Sequence, residues 1–204
     1  MFLPSPVVLT EAGPIQGFKQ KSANVHLPID CFLGIPYAAP PVGNLRWRSP
    51  QPLKHWQEVR NCFDFGPDFP QATNLLFRAP SQSEDCLYLN VWAPELKQAQ
   101  KLPVMVWIHG GGFVGGSGSD QRSDGTLMAA KGVVVVSFNY RSGVFGFLAH
   151  PELSAESDLK VSGNYGLQDQ IAALKWIQKN INHFGGDANK VTVFGVSAGS
   201  ASIS

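Results

Sequence analysis

The strongest chemical signal in the chain is the run Gly195-Val196-Ser197-Ala198-Gly199. A serine hydroxyl is a weak nucleophile until a base takes its proton, and the oxyanion formed when it attacks an acyl carbon needs preorganised donors. The G-x-S-x-G spacing meets part of that need. It sets serine on a sharp strand-to-helix turn, with glycines where a Cβ would strike the neighbouring strand. Alone, the pattern also arises in surface turns rich in Gly and Ser. Here Val191, Val193 and Phe194 precede it as a β-branched and aromatic run, and small, helix-compatible residues follow. A buried strand, a tight turn and the start of a helix are predicted. The backbone N–H of Ala198, heading that helix, is one oxyanion donor.

A second motif, His109-Gly110-Gly111-Gly112, follows the apolar run Val104 to His109 directly. Glycines let backbone N–H groups approach an acyl oxygen without side-chain interference, so behind a buried strand the triplet reads as an oxyanion loop. His109 is expected to act behind that loop. His183 falls at a helix C-terminus, where a dipole contact is the expectation, and His26, His55 and His150 lie in segments without a motif. No cluster has metal-ligand spacing, and neither a metal nor an organic cofactor is implied.

These groups need a framework. Residues 7–18 read as a hairpin around Glu11-Ala12-Gly13-Pro14. Prolines and glycines from Phe32 to Pro52 predict an ordered surface loop pinned by Phe32, Tyr37 and Trp47, and residues 60–85 are irregular. Leu87 to Trp92 alternates as a strand. Val104 to His109 and Gly132 to Asn139 are apolar runs suited to strands buried on both faces. Tyr165 to Asn182 has helical spacing at Leu167, Ile171, Leu174, Ile177 and Ile181, ending at Gly185-Gly186. Antiparallel strands leading into buried strands with a helical crossover predict an α/β sheet with parallel members.

The chain of 204 residues is 44% hydrophobic and 15% charged, a globular composition, with a formal net charge of +1. That balance gives no electrostatic ground for nucleic acid or an anionic membrane as partner. No run reaches transmembrane length. Pro4 and Pro6 interrupt the N-terminal apolar stretch and no early basic residue precedes it, so a cytoplasmic location is expected. Cys31, Cys62 and Cys86 permit three single pairings with one thiol left over, or three reduced thiols.

At this point the residues resemble a known family. SEDCLYLNVWAP (83–94), HGGGF (109–113), NYRSGVFGFL (139–148), NYGLQDQ (164–170) and FGGDANKVTVFGVSAG (184–199) are similar to the type-B carboxylesterase and cholinesterase family of α/β-hydrolases. FLGIPYAAPPVG, from Phe32, is similar to its N-terminal part. The resemblance implies an α/β-hydrolase fold, with residues 1–204 the N-terminal portion of one domain. It implies that Ser197 is the acyl-ester nucleophile, that the N–H groups of Gly111, Gly112 and Ala198 form the oxyanion hole, and that the substrate is a small-molecule carboxylic ester. It further implies a Cys62–Cys86 disulfide and the ion pairs Arg46–Glu84 and Arg141–Asp169.

The chain departs from the family pattern in two respects. Members usually carry Glu before the nucleophile, where Val196 stands. They are also much longer, and their triad runs Ser, then Asp or Glu, then His, whereas only seven residues follow Ser197. The expectation is a fold truncated after the elbow, with negligible turnover alone and a need for a missing C-terminal half. The alternative is a non-catalytic fragment or interaction module of the same fold.

Overall fold

The computed structural model describes residues 3–22, 25–95 and 101–204. Its strands are β1 Leu3–Leu9, β2 Pro14–Ser22, β3 Val25–Pro36, β4 Arg60–Asn61, β5 Tyr88–Pro94, β6 Leu102–Ile108, β7 Val134–Phe138 and β8 Gly186–Gly195. The helices are α1 Thr126–Ala129, α2 Gly143–Phe147, α3 Pro151–Glu156, α4 Tyr165–Asn180 and α5 Ala198–Ala201. The strands form one sheet in the order β1-β2-β3-β5-β7-β6-β8, with β4 beside β2. β1, β2, β3 and β5 pair antiparallel in succession, and β5 pairs antiparallel with β7. The parallel part is β7-β6-β8. No helix among the described residues is long and apolar enough to cross a membrane.

Side-chain alternation divides the core between the two faces of this sheet. Phe32 of β3, Leu89, Val91 and Ala93 of β5, Val104, Val106 and Ile108 of β6, and Val134, Val136 and Phe138 of β7 join one buried cluster. Ala173, Trp176 and Ile177 of α4 close over it, and Phe184 meets Phe32 edge-on at 5.0 Å. Ile29, Cys31 and Leu33 of β3, Trp92 of β5 and Val135 of β7 form the opposite cluster, with Ala129 of α1 packed on it.

Two expectations are corrected. β3 runs to Pro36, so the loop predicted from Phe32 begins only after that residue. Gly34, at φ +69°, shifts the register of β3 on β5 between Phe32 and Ile35 while its N–H donates to Asn90 Oδ1 at 3.0 Å. A bulge of this kind lets a segment bearing Gly and Pro keep its ladder. Along α4 and its C-cap, the stripe through Leu167, Ile171, Leu174, Ile177 and Ile181 is buried only towards its C-terminal end: Ile177 and Ile181 are fully buried and Leu174 packs against the core, while Ile171 is exposed. Tyr165, Asp169, Ala173, Trp176 and Asn180 also turn inward.

Candidate active site

The site lies where the parallel strands end. Ile108 of β6 pairs with Gly195 of β8 as the last register partners, so the segments leaving these strands emerge side by side. In open α/β sheets this carboxyl end of the strands is where ligands bind. One segment is the corner Val196-Ser197-Ala198, the other the loop His109 to Gly118.

Ser197 is exposed and sits at φ +54°, ψ −121°, a conformation a non-glycine residue adopts only when its surroundings impose it. The surroundings do. A Cβ on Gly199 would lie 2.1 Å from the Ile108 carbonyl oxygen, and one on Gly195 would lie 2.7 Å from the same atom. Both glycines therefore let the turn press against the end of β6. Ala198 is buried and opens α5, where an amide has no partner within the helix.

The glycine loop touches this corner. A Cβ on Gly110 would stand 2.6 Å from the Val196 carbonyl oxygen and 3.1 Å from Ser197 Cβ. Gly111, at φ +118°, accepts the N–H groups of both Val114 and Gly115 at 3.0 Å, so the loop folds back on itself. Among the described residues no group accepts the Gly111 or Gly112 N–H.

Buried polar groups hold the loop from behind. His109 Nδ1 donates to the Gly110 carbonyl at 2.9 Å, its ring stacks on Tyr140 with centroids 4.2 Å apart, and Tyr140 Oη donates to the His109 carbonyl at 2.9 Å. Burial, only partly offset by the Gly110 carbonyl, holds the imidazole down to about 4, so it is neutral at pH 7. Its Nε2 is buried with no partner. At the far end of the loop, the Gly118 N–H donates to Asn139 Oδ1 at 2.7 Å, and the Gly118 carbonyl accepts Ser137 Oγ at 2.7 Å. Ser117 Oγ donates to the buried Asp68 at 2.6 Å. Burial, outweighing the Ser117 and Asn139 contacts, raises the Asp68 carboxyl to about 6.

Gly111, Gly112, Ala198 and Ser197 thus fall in one neighbourhood at the sheet's carboxyl edge. No histidine or carboxylate hydrogen-bonds the Ser197 hydroxyl among the described residues. No group of three or more His, Cys, Asp and Glu there is placed to hold a metal ion.

Arg46 meets Glu84 through two contacts of 2.5 Å on a partly exposed surface. Arg141 is buried and grips Asp169 through Nε at 2.8 Å, Nη2 at 2.7 Å and its backbone N–H at 3.0 Å. The Cys62–Cys86 bridge is not formed: all three cysteines are free and buried. Cys62 and Cys86 belong to one apolar cluster of the core, where burial pushes the Cys62 thiol up to about 12.

Sequence reasoning missed Gln71, Asn139 and Tyr140 as supports of the loop. Asn139 and Tyr140 directly follow β7, the strand neighbouring β6, which is the cue that could have found them. Gln71 lies in an irregular stretch and left no such cue.

Comparison with known proteins gives a consistent picture. A family model described as the carboxylesterase family matches residues 4–204. The chain is 52% identical over 202 residues to the fumonisin B1 esterase of Sphingopyxis macrogoltabida, covering 98% of this chain and 36% of that protein. It is 48% identical to the para-nitrobenzyl esterase of Bacillus subtilis (strain 168), covering 97% of this chain and 39% of that one. Against the acetylcholinesterase of Danio rerio the identity is 45%, with 98% of this chain and 32% of the relative covered. A solved thermophilic PNB esterase superposes with a TM-score of 0.84 at 46% identity, over 97% of this chain and 40% of that one. The fold is that of the α/β-hydrolases, and the chain spans two fifths or less of each of these relatives.

Proposed function

Because the chain belongs to the carboxylesterase family, we propose that it carries the nucleophilic half of a serine carboxylic-ester hydrolase. Ser197 Oγ attacks the acyl carbon of a small-molecule ester. The N–H groups of Gly111, Gly112 and Ala198 take the charge that develops on the acyl oxygen. The carbonyl then re-forms, the alcohol leaves, and the acyl group remains on Ser197 until water releases the carboxylic acid.

One observation carries this reading: an exposed serine held at φ +54° against a glycine loop in which, among the described residues, the Gly111 and Gly112 N–H groups have no acceptor. Backbone strain of this kind, of the order of 1–3 kcal/mol, persists where the surroundings over-determine it, commonly at active sites.

The attack also needs a base for the serine proton and a group to orient that base. No described residue contacts Ser197 in that role, and His109, buried behind the loop, does not reach it. Turnover by these 204 residues alone is therefore negligible in this reading. A second reading is a non-catalytic module of the same fold.

Fluorophosphonate labelling with peptide mapping separates the two. It is run on the chain alone and on the chain mixed with the remaining part of the Bacillus subtilis para-nitrobenzyl esterase. An adduct on Ser197 in the mixture, absent in Ser197→Ala, together with p-nitrophenyl ester hydrolysis, supports the hydrolase. No adduct in either sample favours the module.

A further inference from the structure

Gln71 reaches the glycine loop from a segment remote in sequence. Its Nε2 donates to the Gly116 carbonyl at 2.7 Å, and its Oε1 accepts the Gly116 N–H at 2.7 Å. A side-chain amide presents one donor and one acceptor side by side, as a peptide group does, so it occupies both polar groups of a single residue in the way a paired strand would. Gln71 is itself fixed, because its backbone N–H donates to Gln82 Oε1 at 2.9 Å.

What Gly116 touches makes this contact matter. At φ +119°, its unsubstituted side packs so closely that a Cβ would stand 2.2 Å from both the Gly110 carbonyl oxygen and His109 Nδ1. Gly115, beside it, has its carbonyl oxygen 2.1 Å from where a Cβ on Gly111 would lie. The returning limb of the loop is thus the floor on which Gly110 and Gly111 rest, and Gly110 is the residue that meets Ser197. His109 and Tyr140 hold the outgoing limb. Among the described residues Gln71 is the side chain that grips Gly116.

We infer that Gln71 is a positioning residue: its carboxamide clamps Gly116, keeping the Gly111 and Gly112 N–H groups aimed at the acyl oxygen of a substrate on Ser197. This rests on the reading of Ser197 as the nucleophile for its functional consequence, but not for the clamp itself. The geometry also sets which replacements work. Met fills the space and makes neither bond. Glu keeps the acceptor but, ionised, sets a negative oxygen against the Gly116 carbonyl, and regains the donor only when protonated.

Two measurements on the full chain test the clamp, with a thermal melt to show that each variant folds. The first is amide hydrogen exchange at Gly115 and Gly116, which needs no catalysis. Gln71→Met should speed Gly116 exchange to that of an open loop, and Gln71→Glu should do so at neutral pH. For Gln71→Glu, protection corrected for intrinsic exchange should return as the pH falls below the usual glutamate range, about 4.3. The second is the rate of Ser197 phosphonylation in the complemented mixture. Gln71→Met should slow it roughly tenfold, less than the loss of an oxyanion donor itself.

Unchanged Gly116 protection in Gln71→Met overturns the clamp. Lost protection with an unchanged phosphonylation rate overturns the positioning role. If wild type is never labelled, the hydrolase reading has failed instead, and the clamp is decided on the exchange data alone.

Discussion

Ser197 was legible as a residue because its neighbours are so constrained: the glycines on either side had a steric reason that the structure bears out in full, since each faces the last carbonyl of β6. Gly199→Ala should therefore drive a methyl into the Ile108 carbonyl and cost about 1–3 kcal/mol, read as a lower urea midpoint, while the exposed Ser200→Ala should leave the midpoint unchanged. His109 was legible only as a supporting residue, because nothing in the order of residues tells that its ring lies flat on Tyr140. Its burial has a pH signature. Held near 4 rather than at 6.5, the folded imidazole refuses a proton that the unfolded chain accepts. Stability is then lost as the pH falls from 6.5 towards 4, and the loss levels off below that. Asn keeps a donor for Gly110 without titrating. The stability of His109→Asn relative to the parent should thus improve steadily across that interval in denaturant melts at successive pH values.

At the scale of elements, period and punctuation found β6, β7, β8 and α4, but only part of the face that α4 buries. Hydrophobic spacing found Ile177 and Ile181, which are buried, and also favoured Ile171, which is exposed; the inward face further holds Asp169, which only a partner on another element makes tolerable. That partner, Arg141, follows β7, and the pair ties α4 to the carboxyl end of the sheet. Asp169→Asn leaves a buried guanidinium uncompensated and should cost about 3–5 kcal/mol. Glu84→Gln removes charge from a more exposed pair of similar geometry, screened by solvent, and should leave stability nearly unchanged. Equilibrium unfolding of the two variants side by side measures the contrast, and equal losses would mean that burial does not set the strength of these pairs. The extension of β3 escaped notice because Gly34 and Pro36 read as loop residues, and only the Asn90 side chain waiting for the Gly34 N–H shows why the strand continues.

At the scale of the whole molecule, the sheet ends in two unlike edges. β1 carries Pro4 and Pro6, which interrupt its donors, and its register breaks between Pro4 and Val7, devices that discourage further pairing. β8 pairs with β6 on one side, and no strand among the described residues lies on its other side. Val191, Val193 and Phe194 are only half-buried there, and Trp107 beside Phe194 has a buried Nε1 with no partner. The 204-residue chain should associate with itself increasingly between micromolar and tens of micromolar concentration in sedimentation velocity, and Thr192→Lys, placing a charge on the bare strand, should shift that onset upwards. A single cooperative melt from a monomer at all concentrations would contradict it. The free thiols provide a different kind of access to the same molecule. Cys31 lies in the cluster on the α1 side of the sheet, Cys62 and Cys86 in the cluster under α4, and none exposes more than 1% of its surface. A thiol-reactive dye added to the native chain would thus be a clock for opening: modification of Cys31 before the other two would mean that the thin covering of α1 yields first, and simultaneous modification that the two sides come apart together.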